Sequence, residues 1–317
     1  MKILFIADLH IKLGQKNVPV EWAKNRYKLF NAALISMKDI ADIIVLGGDT
    51  FDRTPTLEEL EVYFNMLPVF TKPTYIIPGN HESVKKNTTF LTNLKEVTSA
   101  INSKVVIIDD YFSLDDIDFI PYNKLKEYTP ADVDMHGRIL VTHVRGEIPP
   151  HVKPEVPLSI FERWDVVLAG DLHSYENSQL NILYPGSPMS TSFHRNSITN
   201  GVIVLDTETL THDWIPLDLP QLIRKTIRAG EAMPATDYHH TIYEVSGDLA
   251  ELGTVENTQL LDKKITTRET DVALMLDPDM SMAEELKEYL TYILQLKESS
   301  VEEALKLFYT LEPQIHD

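Results

Sequence analysis

The chain of 317 residues contains no cysteine. Disulfides, thiolate metal sites and cysteine nucleophiles are therefore excluded, and any metal must be held by His, Asp, Glu or Asn. Such a chain suits a reducing cytoplasm. Long hydrophobic runs are also missing, since nothing approaches the ~20 apolar residues of a membrane span. The opening Met1 to Ala7 is apolar, but Asp8 and His10 interrupt it and no small-residue cleavage site follows, so it reads as a first β-strand and not as a signal peptide. Basic residues are scarce. There are 29 Lys and Arg against 48 Asp and Glu, a net charge of −19, which argues against a general nucleic-acid binder because phosphates are normally met by a cationic surplus. Two bound divalent cations would offset about four of those charges locally.

What is present is an ordinary globular composition in a chain long enough for a large domain and a smaller appendage. Apolar, β-rich runs alternate with helical patterns at Lys2 to Ala7, Ile43 to Leu46, Thr74 to Ile77, Arg138 to Thr142 and Asp165 to Ala169. That rhythm predicts a layered α/β domain over residues 1–200. Tyr27, Phe30, Leu34 and Met37, at spacings of three and four, predict an amphipathic helix from Trp22 to Met37. Residues 201–276 read as a small α+β domain opened by a hairpin, Val202 to Leu205 and His212 to Leu217. Residues 277–317 form a third segment. Ser281-x-x-Glu284 and Ser300-x-x-Glu303 are capping-box patterns, each opening an apolar stripe, and predict a helical hairpin after the tether-like Asp277-Pro278-Asp279.

Each predicted strand ends in a polar cluster: Asp8-Leu9-His10, Gly48-Asp49-Thr50-Phe51-Asp52, Gly79-Asn80-His81-Glu82, His143 and Gly170-Asp171-Leu172-His173. In open α/β sheets sites assemble at the carboxyl ends of strands. One Asp or His there is more often a turn former or helix cap than a ligand. Five such clusters at five consecutive strand ends point to a metal site of oxygen and imidazole donors. The chemistry that fits is a pair of cations roughly 3.5 to 4 Å apart that share one carboxylate and neutralise the oxygens of a phosphate ester. Asp49, next to Gly47 and Gly48, is the natural shared carboxylate.

Asp-x-His, Gly-Asp-x-x-Asp and Gly-Asn-His-Glu, with 37 and 26 intervening residues, resemble the calcineurin-like metallophosphoesterases. Gly48 to Arg53 and Tyr184 to Phe193 are similar, more narrowly, to the recombination nucleases of SbcD and Mre-eleven type and their phage counterparts. The resemblance implies an α/β fold, a layered β-sandwich core flanked by helices, with a small capping domain and the C-terminal hairpin. It implies a DNA exonuclease and endonuclease with two divalent ions, most simply Mn²⁺. The first ion's ligands would be Asp8, His10, Asp49 and His173, and the second's Asp49, Asn80, His143 and Asp171. His81 would be the catalytic histidine, with Asp52 orienting it. Asp171 stands where the family usually has histidine, and a hard carboxylate there favours Mn²⁺ or Mg²⁺ over Zn²⁺; the bland reading is that it caps a turn. Lys12, Lys16 and Arg53 are candidate DNA contacts, with Lys24 and Arg26 nearby, although a charge run is more often a solvated face.

The family resemblance further implies a homodimer packed through helices such as Leu57 to Leu67, and an SbcC-type ATPase whose coiled-coil base receives residues 281–313. Such a partner would supply the missing basic surface. The same scaffold also serves protein phosphatases and cyclic-nucleotide phosphodiesterases. A non-catalytic scaffold is a third reading, against which His81 stands, since a dead scaffold needs no leaving-group acid.

Overall fold

The computed structural model describes residues 1–85, 87–129, 135–266 and 280–311. Two sheets carry the catalytic region. Their strands, in chain order, are β1 (Lys2–Ile6), β2 (Ile43–Gly47), β3 (Thr74–Ile77), β4 (Val105–Ile107), β5 (Phe112–Leu114), β6 (Ile117–Ile120), β7 (Ile139–His143), β8 (Val166–Gly170), β9 (Ile182–Leu183), β10 (Asn200–Asp206) and β11 (His212–Leu217). The first sheet has the order β11-β10-β1-β2-β3-β4 and the second β9-β8-β7-β6-β5. β1, β2, β3 and β4 run parallel, as do β6, β7, β8 and β9, whereas β10, β11 and β5 join antiparallel.

The period-two alternation of strand side chains sorts the apolar residues into three layers. Ile3, Phe5, Ile43 and Val45 face Phe119, Val141 and Leu168 and fill the space between the sheets. Leu4, Ile6, Ile44 and Leu46 face the other way, onto Tyr27, Phe30 and Leu34 of helix α1 (Val20–Ser36) and Tyr63 and Met66 of helix α2 (Leu57–Met66). Leu140, Val167 and Ala169 cover the outer face of the second sheet with Phe161 and Trp164. Strands buried on both faces read as unbroken apolar runs, which is why the sequence shows them clearly. Each fully buried Phe or Ile contributes roughly 1.5–3 kcal/mol.

Two expectations change here. The strand ends bearing the polar clusters are not consecutive, because β4, β5 and β6 intervene and the clusters come from two sheets. The hairpin assigned to a separate domain after residue 200 is instead an edge of the first sheet: β10 pairs antiparallel with β1, Lys2 opposite Asp206 and Phe5 opposite Ile203. Contacts divide the chain into one compact unit of Met1–Val245 with Glu256–Lys263 and another of Ser246–Val255 with Lys264–Asp317.

In the second unit Ser281 caps helix Met282–Glu288 through the expected reciprocal bonds with Glu284. The last helix runs Glu298–Leu311, so Ser300 lies in its first turn and is not its cap. Ala283, Leu290 and Val301 are buried, while Tyr289, Tyr292, Leu296 and Leu307 remain exposed. The proposed tether Asp277-Pro278-Asp279 and the segment's end at Pro313 lie outside the described residues. Among the described residues no helix is long and apolar enough to cross a membrane.

Candidate metal centre

The carboxyl ends of β1, β2, β3, β7 and β8 meet at one place because the strands are parallel and in register: β7 and β8 align His143 with Gly170, and β2 and β3 align Gly47 with Ile77. The backbone turns sharply as it leaves them. Asp8, His10, Asp49 and Asp171 all have positive φ, at 57°, 46°, 50° and 102°. Non-glycine residues avoid this region, and its use at four candidate ligands concentrates strain where side chains must be aimed. Gly48, at φ 95°, is required sterically as well, since a Cβ there would lie 2.4 Å from the His143 ring.

One carboxylate oxygen organises the centre. Asp49 Oδ2 lies 3.5 Å from His10 Nε2, 3.5 Å from His143 Nε2 and 3.8 Å from His81 Nε2, while Oδ1 accepts the His81 backbone N–H at 3.0 Å. His10 Nε2 faces His173 Nε2 at 3.1 Å, and His173 Nε2 is 3.9 Å from Asp8 Oδ1. On the other side, His143 Nε2 is 3.1 Å from Asn80 Oδ1 and 3.9 Å from Asp171 Oδ1. Two donors each about 2.1 Å from one ion lie at most about 4.2 Å apart, and every one of these separations falls within that span. Three clusters, Asp8 with His10 and His173, His10 with Asp49 and His81, and Asp8 with Asp49 and His143, are compact enough to hold a metal ion. The donor chemistry fits: two imidazole nitrogens that converge beside a shared carboxylate are the mixed nitrogen and oxygen set a divalent transition-metal cation takes.

The outer nitrogens of two of these rings are held. His143 Nδ1 donates to the carbonyl of Gly47 at 2.9 Å, leaving Nε2 as the ligating atom. His173 Nδ1 is 3.1 Å from Thr191 Oγ1. Burial pushes the His10 imidazole down to about 3, so it stays neutral. Burial would also lower His143, but the carboxylate of Asp49, with Asp8 and Asp171 behind it, holds that ring up at about 10. Burial raises Asp8 well above the usual carboxylate range. For Asp49 the same burial is outweighed by His143, and its carboxyl is held below that range.

The structure changes the role expected of Asp52. Its carboxylate does not face His81; the main-chain carbonyl does, at 2.6 Å from His81 Nδ1. The carboxylate lies 3.7 Å from His10 Nδ1 and 2.8 Å from Lys12 Nζ. Asp52 therefore holds His81 through its backbone, while its carboxylate stands beside His10 Nδ1 without a hydrogen bond to it. The candidate DNA contacts are also engaged: Lys12 with Asp52, and Arg53 with Asp52 at 3.8 Å and Glu59 at 3.2 Å. Lys16 is exposed, Lys24 pairs with Glu21 at 4.0 Å, and Arg26 is buried, donating to the Ser190 carbonyl at 2.7 Å.

Two residues escaped the sequence reading. Glu82, fully buried, accepts the backbone N–H groups of Asp49, Phe51 and Gly79 at 3.1, 2.8 and 2.7 Å, and so ties the β2 loop to the β3 loop. Its place in Gly-Asn-His-Glu was the available signal. Arg145 forms a two-pronged ion pair with Asp171, and nothing local in the sequence announces it. Beside His173 opens a groove of about 600 Å³ lined by Thr191, His194 and Trp214 among others.

A layered pair of sheets with acidic and imidazole donors at converging strand ends defines a metal-dependent phosphoesterase. The comparisons agree: residues 1–175 match the model of the calcineurin-like phosphoesterases, and the chain belongs to that family. It is 42% identical over 319 residues to the "Probable exonuclease subunit 1" of Escherichia phage T5, covering 96% of this chain and 97% of that one. It is 29% identical over 213 residues to the "DNA double-strand break repair protein Mre11" of Methanosarcina acetivorans, covering 62% of this chain and 34% of the relative. A "Putative phosphoesterase 244L" of Invertebrate iridescent virus 6 is 27% identical over 222 residues, 64% of this chain and 75% of its own length.

Proposed function

We propose that the chain is the nuclease subunit of a DNA-processing assembly, hydrolysing phosphodiester bonds with two divalent cations. The observation that carries this reading is the position of Asp49 Oδ2, equidistant from His10 and His143 and therefore shared between two donor sets. Asp8, His10, Asp49 and His173 form one set, and Asp49, Asn80, His143 and Asp171 the other. Mn²⁺ suits this oxygen-rich mixture. Two such cations would neutralise the phosphate and lower the pKa of an attacking water.

The chain's own groups do the rest. Asp49 Oδ1 is pinned by the His81 N–H, so Oδ2 alone turns inward. His81 Nδ1 donates to the Asp52 carbonyl, which leaves Nε2 in the open mouth of the site, where it would take up a proton from solvent and pass it to the leaving oxygen as the phosphorus–oxygen bond breaks. The relatives' names support DNA as substrate, and the groove beside His173 offers room for the flanking nucleotide. The exposed apolar residues of the C-terminal segment, at Tyr289, Tyr292 and Leu296, support docking of residues 281–313 on an ATPase of SbcC type. A homodimer, residues 277–317 as a partner-binding segment and a cytoplasmic location, the host's for a phage protein, complete the reading.

Purified protein incubated with end-labelled linear duplex and Mn²⁺, Mg²⁺ or chelator tests the activity. Nucleotide release with Mn²⁺ and none with chelator is expected. Cleavage of a chromogenic phosphomonoester with the duplex untouched would move the chain to the phosphatases. Removal of residues 281–317 is expected to leave metal-dependent cutting intact while abolishing co-purification with the ATPase.

A further inference from the structure

Asp171 adds a third carboxylate to a centre that already buries Asp8 and Asp49. A buried negative charge is tolerated only when paired. The pair is Arg145: Nε donates to Asp171 Oδ2 at 3.0 Å and Nη2 to Oδ1 at 3.2 Å, the planar fork-on-fork geometry that lysine cannot reproduce. This contact also aims the carboxylate. Both oxygens accept from the fork, and Oδ1 is also the one that faces the centre, 3.9 Å from His143 Nε2, where its second lone pair can serve a metal. Arg145 is itself fixed. Its backbone N–H donates to Glu155 Oε1 at 3.3 Å, Glu155 Oε2 accepts from the Tyr122 hydroxyl at 3.1 Å, and the Tyr122 ring stands edge-on to His143. The Asp171 side chain is 5% exposed and that of Arg145 43%, so the guanidinium closes the site from the solvent side.

We propose that Arg145 and Asp171 work as one unit, a positioned and charge-compensated ligand whose guanidinium makes a carboxylate serviceable where a neutral imidazole would need no partner. Arg145 is a positioning residue here, acting through Asp171. The inference rests on the assignment of Asp171 to the second donor set, and it predicts a coupling: the arginine matters only while residue 171 is acidic. Removing a group that orients a metal ligand typically weakens the metal by about 10- to 100-fold.

A double-mutant cycle read by Mn²⁺ titration calorimetry on the metal-free full chain decides it. Wild type is expected to bind two ions. Arg145→Ala should weaken the second by about 10- to 100-fold with the first unchanged, and Arg145→Lys, which restores charge without the fork, should lose less. Asp171→His should again bind two, and the double variant Arg145→Ala with Asp171→His should match it. Equal loss from Arg145→Ala in both backgrounds means the arginine merely packs, and overturns the proposal. Unchanged or tighter binding in Arg145→Ala, as expected of a residue that competes with the metal, overturns it too. If Arg145→Ala does not fold, judged by its thermal melt without metal, Arg145→Lys carries the cycle with the same criteria. Wild type that binds fewer than two ions defeats the two-ion reading itself; wild type that binds two with no coupling defeats only this inference.

Discussion

His81 Nδ1 lies 2.6 Å from the main-chain carbonyl of Asp52, so that nitrogen carries the hydrogen and Nε2 is the free atom, 3.8 Å from Asp49 Oδ2. The side chain is 39% exposed, whereas His10 and His143, the other two rings around that oxygen, are buried. Its position thus suits a group that meets substrate. Replacing His81 by Ala should lower turnover by roughly 10²- to 10⁴-fold with two metals still bound. Metal counting beside the rate assay checks it; a loss of one metal together with the rate would make His81 a ligand.

Asp52 predicts a different phenotype. Its carboxylate faces His10 Nδ1 at 3.7 Å, and His81 is held by its backbone, which a side-chain change leaves in place. Asp52→Ala should therefore weaken metal binding by about 10- to 100-fold, as loss of a ligand's outer partner does, and excess Mn²⁺ should recover most of the rate. A rate that no metal concentration restores would show the carboxylate acting in the chemistry.

Glu82 is the structural keystone between the β2 and β3 loops. Burial, reinforced by the nearby Asp49 charge, pushes its carboxyl up to about 7. Three backbone donors would be left without partners in Glu82→Ala, at about 1–3 kcal/mol each, so a loss of at least about 3 kcal/mol is expected in urea unfolding of the metal-free protein. A variant within about 1 kcal/mol of wild type would mean that water replaces the carboxylate cheaply.

The pH dependence follows from His143. Its folded value of about 10 stands above the ordinary 6.5. In the metal-free protein the raised value contributes stability that is full below pH 6.5 and is lost as pH rises through about 10. Metal needs the ring deprotonated, so binding must expel that proton and affinity should climb with pH. His10, lowered to about 3, and His173, also lowered, are already neutral above 6.5. Between pH 7 and 9 the Mn²⁺-induced rise in melting temperature should therefore grow. A gain that is flat or shrinks over that range would contradict the assignment of His143.

Much of this centre was legible before any coordinates. Asp8, His10, Asp49, Asn80, His81, His143, Asp171 and His173 stand at the ends of doubly buried strands, whose apolar runs announce themselves. The two-sheet arrangement was legible only through the family resemblance, which implied a layered β-sandwich, and not in the strand pattern itself. β4, β5 and β6 are three or four residues long, and Asp118, buried within β6, breaks the apolar pattern because it serves Gly137 N–H, Ser113 and Trp164 instead of solvent. Arg145 was hidden for a related reason. It follows His143 by two residues, yet its partner is 26 residues away, and the two meet because β7 and β8 are neighbours in register. That Asp52 meets His81 through its main-chain carbonyl was not legible, because a motif names a residue and not the atom that makes the contact.

The central claim is that Asp49 is shared by two metal sites. Crystals of the full chain soaked in Mn²⁺, with anomalous scattering measured for the metal, test it most directly. Two peaks about 3.5–4 Å apart with Asp49 Oδ2 between them are the predicted result. A single peak, or two peaks not joined by Asp49, would contradict it.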